Sequence, residues 1–519
     1  MTQERKMAGK IQLNKRQKDI LFYLSLVMIS VYVFLLAGEK GYILFDDSHT
    51  YIERWYTEGV MPVYPLFVRV NKIIFGEAGF LYAIVIEQAL IATLSVISFT
   101  KMIKQYFSLR YLEAYLVYIA ALLPFTLELP TAMITHMILT EGIAFALFYL
   151  FVEIMLKAVW ERNIKWLAGG WFMALFLSLI RSQLLLLFGV WGVVLIYIGM
   201  IRWSHGRQKG IKIVGILMGC VLMGLLGITA NTRINSTYQQ TVNRLRDAQD
   251  KTREQETVVE EENLRDNKNS GQMSAVSVSQ YASLLYSRGM YEADYEDYQL
   301  FAEEEMQQLF LAMYEAADEA ECRYVYAEKG LWMWRDIAGG IGAVGNEGAA
   351  AQRAYYEEKR PEVLADNNAY RTLSNKNYAV IGSTLLKKHM GRFLYHTIML
   401  LPQGFICTVF FQVEKVYLLC HLITLFLYLS ALALMIWGFA DRKIERKAAE
   451  LMAFVLGTDC VMVVLISMVF FGQQRYLFYA FGLFYVAYFL LLLQIGKQYG
   501  KRVVQRFCKK PKGNEDCDV

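Results

Sequence analysis

Two adjacent carboxylates, Asp46 and Asp47, follow the first apolar run of the chain and open the stretch FDDSHTYIERWYTEGVMPVYPLFVR, from Phe45 to Arg69. A second apolar run comes next, so this stretch belongs at a membrane surface, where negative charge must serve a purpose. Two readings stay open. Asp followed by Ser at a helix start is an N-cap, its carboxylate accepting backbone N–H bonds. Alternatively, neighbouring carboxylates coordinate a divalent metal such as Mg or Mn, or one of them acts as a general base. A cap accounts for one aspartate and not for both. Tyr51, Trp55 and Val60 then recur at helical spacing, and Pro62 and Pro65, on either side of Tyr64, break the helix and turn the chain back toward the bilayer. The stretch reads as an acidic pocket capped by an interfacial helix.

Further ionisable residues fall at the ends of apolar runs: Glu128 and His136 between the third and fourth, Glu141 one turn into the fourth, Arg181 after the fifth and Arg475 before the tenth. Charge at such depth is costly and by default is paired or faces a wet cavity. One outward-facing cavity would need all of them; ordinary interfacial pairing and snorkelling is the plainer alternative for any one alone. The planar fork of arginine suits a phosphate or carboxylate. A lipid phosphate is a natural partner for Arg181 and Arg475, and pairing of Arg181 with Glu141 is the simpler reading. His49 and His136 lie where they could assist, although isolated histidines are more often structural. Glu87, Glu153 and Asp459, inside apolar runs, need only internal partners.

The elements that must position these residues are membrane spans. Of 519 residues 56% are hydrophobic and 19% charged, a composition too apolar for a soluble protein with runs this long. Ten runs could cross a bilayer, near 20–37, 79–99, 112–127, 137–156, 166–180, 183–201, 213–230, 416–438, 450–471 and 476–495. The first is long enough to span and lacks a small-residue cleavage site, so it should stay as an anchor. With residues 1–19 and 496–519 as cytoplasmic basic tails, these tails and the short inside loops together hold 27 of the 53 Lys and Arg, as the positive-inside bias requires. The segment 393–412 contains Pro402, Gln403 and Gly404. Counting it as a span would invert everything after it, so it reads as interfacial or re-entrant.

Residues 231–392 form one large polar block with 26 Asp and Glu against 19 Lys and Arg, and with apolar residues repeating at three and four. An extracytoplasmic, mostly helical domain is expected there, inserted between a membrane module at 20–230, whose first outer loop is 38–78, and membrane segments at 393–495. The acidic stretch 247–269 has little to bury and reads as a solvated helix or linker. GIGAVG at 340–345 matches a dinucleotide-loop pattern, but no strand precedes it, and it reads as a flexible loop. The seven cysteines show neither a disulfide framework in the polar block nor zinc spacing, and no repeat of solenoid period occurs.

In this order the motifs resemble those of the GT-C superfamily of integral-membrane glycosyltransferases, which includes protein O-mannosyltransferases and aminoarabinose transferases. Asp47-Ser48 with Tyr51 after the first span, YPLF at 64–67, Thr140-Glu141 opening the fourth span, Arg181 after the fifth and Arg475-Tyr476 opening the last carry the resemblance. It covers 20–230 and 416–495 and leaves 231–392 aside. It implies an all-α polytopic membrane protein that moves a sugar from a polyprenyl-phosphate donor to a glycan, lipid or protein acceptor outside the cell membrane, with inversion and without nucleic acid. It further implies Asp47 as catalytic base, with Asp46 as the neighbour able to replace it, and Glu141, Arg181, Arg475, Tyr476, His49, His136 and Tyr64 around the substrate. A transporter or flippase of lipid-linked saccharides is the competing reading. Against it stand the absence of repeated halves and the gathering of charge at one face instead of the midplane.

Overall fold

The computed structural model describes residues 14–37, 41–53, 60–127, 133–202, 209–260, 280–330, 333–365, 367–410, 416–441, 444–469 and 474–508. Among them the secondary structure is helical apart from one isolated parallel bridge, Ile43 to Met137. The first half of the chain folds into α1 (Lys15–Ala37), α2 (Asp46–Ile52), α3 (Val63–Tyr106), α4 (Tyr111–Thr126), α5 (Glu141–Glu161), α6 (Ile164–Ile180), α7 (Leu187–Arg202) and α8 (Lys209–Glu260). The polar block supplies α9 (Gln280–Tyr291), α10 (Glu304–Glu319), α11 (Met333–Lys359), α12 (Pro361–Ala365) and α13 (Asn367–Lys388). Then follow α14 (Met390–Val409), α15 (Tyr417–Ala440), α16 (Arg446–Val469), the short α17 (Gln474–Leu477) and α18 (Phe481–Cys508).

All ten expected runs fall on helices, but only eight of these helices are long and apolar enough to cross a membrane. The exceptions are α4, with 16 residues, and α6, with 17. At about 1.5 Å per residue a helix of that length reaches roughly 24–26 Å, short of a hydrocarbon core about 30 Å thick. Pro124 near the end of α4 and the extended backbone of Arg181 after α6 limit them. Helix α3 is longer than its apolar run because it begins at Pro62, kinks at Gly76 (φ 67°) and only then continues. An L side chain at that φ is strained, so the bend falls on a glycine.

The apolar faces build two cores. One unites α1 and α3–α7 with α16 and α18, and its most enclosed spans are α5 and α18. The other unites α9–α13 with Leu400 and Ile406 of α14 and with Tyr417 and Cys420 at the start of α15. In the membrane bundle one end is tied by Lys104 to Asp19 (2.8 Å) and by Lys497 to Glu113 (3.0 Å). Phe45, Glu141, Arg181 and Arg475 lie at the other. Helix α14 packs along α16: Gly404 faces Val463, and Thr408 bonds Tyr428, which donates to Asp459. Gly438 of α15 meets Ala449 of α16. These pairings make both α14 and α15 antiparallel to α16, so α14 and α15 run the same way and do not form a hairpin.

GIGAVG at 340–345 lies inside the 27-residue α11, which corrects the loop reading. Two of its three glycines serve packing: a Cβ on Gly340 would fall 2.6 Å from the Cys322 carbonyl oxygen, and one on Gly345 2.7 Å from Ser287 Oγ, whereas Gly342 has open space around it. Helix α8 continues from its apolar run into the acidic stretch and reaches Glu260, so that stretch is helical as far as it is described.

Candidate functional site at the α5 and α18 helix starts

Asp47 stands in the first turn of α2. The cap position belongs to Phe45, in extended backbone (φ −114°, ψ 170°), and Ser48 Oγ accepts the Phe45 N–H at 2.9 Å. This corrects the N-cap reading of Asp47, whose carboxylate is left for other work; the side chain of Asp46 lies outside the described residues. Two residues before the cap, Ile43 is bound to the segment leading into α5: its N–H donates to the His136 carbonyl at 2.9 Å, and its carbonyl accepts from Ile138 N–H at 3.1 Å. The loop after α1 is thereby fastened beside Glu141.

Four charged residues from four distant parts of the chain meet here. Asp47 Oδ2 lies 3.1 Å from Arg475 Nη1, and Glu141 Oε1 lies 2.6 Å from Arg181 Nη1. Tyr476 joins the two pairs. The Arg181 guanidinium lies 4.7 Å from its ring centroid and that of Arg475 4.8 Å, while Arg475 Nη2 donates to its hydroxyl at 2.7 Å. Thr140 Oγ1 donates to Glu141 Oε2 at 2.8 Å and accepts from Arg181 at 3.3 Å. Gln183, in the 3₁₀ turn after α6, donates to the Tyr476 carbonyl at 3.4 Å. Exposure rises along the cluster from Glu141 (3% of the side chain) and Arg181 (14%) to Arg475 (29%) and Asp47 (54%). A buried pair thus forms the floor and an open pair the mouth. Beside them, burial raises the Tyr51 hydroxyl above its ordinary pKa, with the charge of Glu141 adding to the effect. Tyr51 is therefore a neutral donor at physiological pH.

The remaining residues named from sequence serve otherwise. Tyr64 is wholly buried and donates its hydroxyl to Gln88 Oε1 at 3.1 Å. His49 pairs with Glu53 at 3.2 Å on the exposed side of α2. His136 is buried beside Thr135, and burial pushes its imidazole below the ordinary histidine range. It lines an apolar groove of about 330 Å³ between α1 and α3, with Val31, Phe34, Tyr82, Ile86 and Leu90 among its walls. Trp55 and Glu128 lie outside the described residues.

A second ionic cluster, on which sequence reasoning placed no site, joins the second core to α14. Arg392 takes both oxygens of Asp294 (2.9 and 2.5 Å), and Tyr324 donates to the same carboxylate at 2.8 Å. Asp297 receives His389 Nε2 at 2.6 Å and Lys388 at 2.8 Å. Buried His396 gives Nδ1–H to Glu292. Asp294, Asp297 and His389 are close enough to share a metal ion. Their donors do not fit one, because His389 Nδ1 faces Arg392 at 2.5 Å and the carboxylates are already matched by a guanidinium and an ammonium. The sequence signal was available: Asp294 and Asp297 stand three apart, as do His389 and Arg392, one helical turn with opposite charge.

No protein family, curated protein or solved structure matches this chain.

Proposed function

We propose that this polytopic helical membrane protein is an inverting glycosyltransferase of GT-C type, which moves a sugar from a polyprenyl-phosphate donor to an acceptor hydroxyl outside the membrane. The observation that carries the reading is the convergence of Asp47, Glu141, Arg181 and Arg475 around one tyrosine at the end of the bundle; an apolar groove between α1 and α3 reaches Gly41 and His136, on the segments that lead to Asp47 and Glu141. Two guanidinium groups supply what an anionic phosphate needs, an exposed carboxylate supplies a base, and the groove suits a hydrocarbon chain in place of bulk water.

In this mechanism Asp47 takes the proton of the acceptor hydroxyl while its oxygen attacks the anomeric carbon. The new carbon–oxygen bond forms as the bond to the phosphate oxygen breaks, the electron pair leaves on the phosphate, and the attack from the opposite face inverts the anomeric centre. Arg475 and Arg181 stabilise the charge that develops on the leaving group. The ion pair between Asp47 and Arg475 gives the donor a further part: a phosphate that engages Arg475 competes with Asp47 and releases the carboxylate to act as base. Glu141, held by Arg181 and Thr140, keeps the inner guanidinium over Tyr476 beside Arg475. The two arginines bring positive charge into the space that a divalent ion beside Asp47 would occupy, so no step here is routed through a metal.

The test is transfer in reconstituted vesicles with a polyprenyl-phosphate monosaccharide, read as release of free polyprenyl phosphate. Asp47→Asn should lower turnover by about 10²–10⁴-fold, the usual weight of a general base. Unchanged turnover removes Asp47 from the role. A carrier lipid that changes leaflet with its sugar still attached would make the protein a transporter instead.

A further inference from the structure

Gln88 is wholly buried in α3, and all its hydrogen-bonding groups point at one place. Its Nε2 donates to two backbone carbonyls, Thr135 at 2.9 Å and Met137 at 3.0 Å, and its Oε1 accepts the Tyr64 hydroxyl at 3.1 Å. The space around the carboxamide is closed: a Cβ on Gly142 would lie 2.3 Å from Oε1. A neutral amide with both donors and its acceptor engaged inside an apolar bundle holds backbone in one place, since the carbonyls it serves have no water to turn to.

The backbone that it holds is a strap with two faces. The segment is a turn at 134–136, closed by the His136 N–H on the Met133 carbonyl at 2.9 Å, and then the bridge residue Met137, so its backbone groups face two ways. The carbonyls of Thr135 and Met137 face Gln88, whereas the His136 carbonyl and the Ile138 N–H face Ile43 on the other side. From Ile43 the chain runs four residues to Asp47. At its other end the strap runs directly into Thr140 and Glu141, the start of α5. Both carboxylates of the site thus hang from one short segment, one through a bridge across it and one along it. The arginines come from elsewhere, Arg181 after α6 and Arg475 at α17; Arg181 bonds Thr140 and Glu141 just beyond the strap, and Arg475 bonds Asp47.

We propose that Gln88 is a positioning residue that sets Asp47 and Glu141 relative to the two arginines by clamping the strap 135–138 from the membrane side. Its catalytic meaning rests on the glycosyl-transfer reading; its hold on the strap does not. Gln88 touches no reacting atom, so its loss shows as a defect in geometry: the phosphate-binding groups stay in place while the base moves.

The experiment compares the full-length protein with Gln88→Leu, of similar size but without donors, and with Tyr64→Phe, which removes one bond to the same amide. Hydrogen exchange is followed on peptides covering 41–52, 133–140 and 474–480, together with transfer kinetics. In Gln88→Leu the amides of Ile43 and Ile138 should exchange about tenfold faster or more, while 474–480 exchanges as in the native protein. The kcat should fall by about tenfold or more with KM for the donor changed less than about threefold, the pattern of an interaction needed in the transition state. Tyr64→Phe should show the same local pattern, weaker. Native exchange at Ile43 and Ile138 in Gln88→Leu overturns the proposal, as does faster exchange spread evenly over the chain. If Gln88→Leu does not fold, Tyr64→Phe decides alone: loosening confined to the strap and to 41–52 supports the clamp, and its absence overturns it. Should the native protein transfer no sugar, the functional reading falls, while the exchange data still decide whether Gln88 holds the strap.

Discussion

Glu141 and Asp47 are both carboxylates paired with an arginine, and their surroundings make them different tools. Glu141 lies on the floor of the site with its oxygens engaged by Arg181 and Thr140. Asp47 is half open to solvent and meets Arg475 through one oxygen at 3.1 Å. Removing one partner of a buried ion pair leaves the other charge uncompensated, whereas an exposed pair contributes little. Glu141→Gln should therefore destabilise the protein by about 3–5 kcal/mol. Asp47→Asn should cost no more than about 1 kcal/mol while lowering turnover by about 10²–10⁴-fold. Unfolding of both variants in one detergent checks the contrast; equal losses would mean that the two pairs are not divided into floor and mouth. Tyr476, between two guanidinium groups, accounts for the use of arginine at both positions, since its face attracts a planar cation that also stacks.

At the scale of elements, α14 is the piece that belongs to both halves. Its first turns carry Arg392 and His396 into the second core, where they bind Asp294 and Glu292. Its last turns lie against α16 and hold Thr408 on Tyr428. The Arg392 guanidinium holds the Asp294 carboxyl down at about 2, with Tyr324 assisting. Because the folded value lies below the unfolded one of about 3.9, the clasp contributes its full stability above pH about 4 and loses it as pH falls from there toward about 2. Thermal unfolding followed between pH 6 and pH 2 should show this decline in the native protein, and Arg392→Met should flatten that part of the curve. A variant curve parallel to the native one would show that the clasp adds nothing. Helices α9 and α13 meet backbone to backbone where Gly289 faces Gly382: a Cβ on Gly289 would fall 2.7 Å from the Gly382 carbonyl oxygen. No side chain can yield there, so glycine at both positions is a requirement of the packing.

For the whole molecule, the two ends of the bundle differ in kind. One is stapled by lysine–carboxylate pairs such as Lys104 with Asp19; the other gathers an ionic cluster from α2, the start of α5, the residue after α6 and α17. Helix α8 reaches from the membrane bundle past this end, and Gln239 on it donates to the Val60 carbonyl at 3.1 Å, tying the start of α3 to the element that leads into the second domain. If, as proposed, the two guanidinium groups serve a donor phosphate, transfer should persist in excess EDTA. Loss on chelation with recovery on added Mg or Mn would bring a divalent ion back to Asp46 and Asp47, and the assay of turnover with and without chelator separates the two.

What the amino-acid sequence determined by itself is what hydrocarbon penalises. Runs of apolar residues, the basic loops between them and the few charges at their ends carry a free-energy cost that can be read one residue at a time, which is why Asp47, Glu141, Arg181 and Arg475 stood out, whereas Tyr476 was named only through the resemblance. The helical character of 280–388 was legible for the same reason, from its apolar period. The pairing of Arg181 with Glu141 was already the simpler reading of the sequence, and the structure has it at 2.6 Å. Tertiary structure decided what depends on partners distant in the chain: that Arg475 meets Asp47, that GIGAVG is a packed helix, that α14 runs alongside α15, and that Asp294 and Arg392 form a clasp. Gln88 belongs to this second group. A neutral amide inside an apolar run carries no charge to flag it, and its purpose exists only once the carbonyls of Thr135 and Met137 are folded against it.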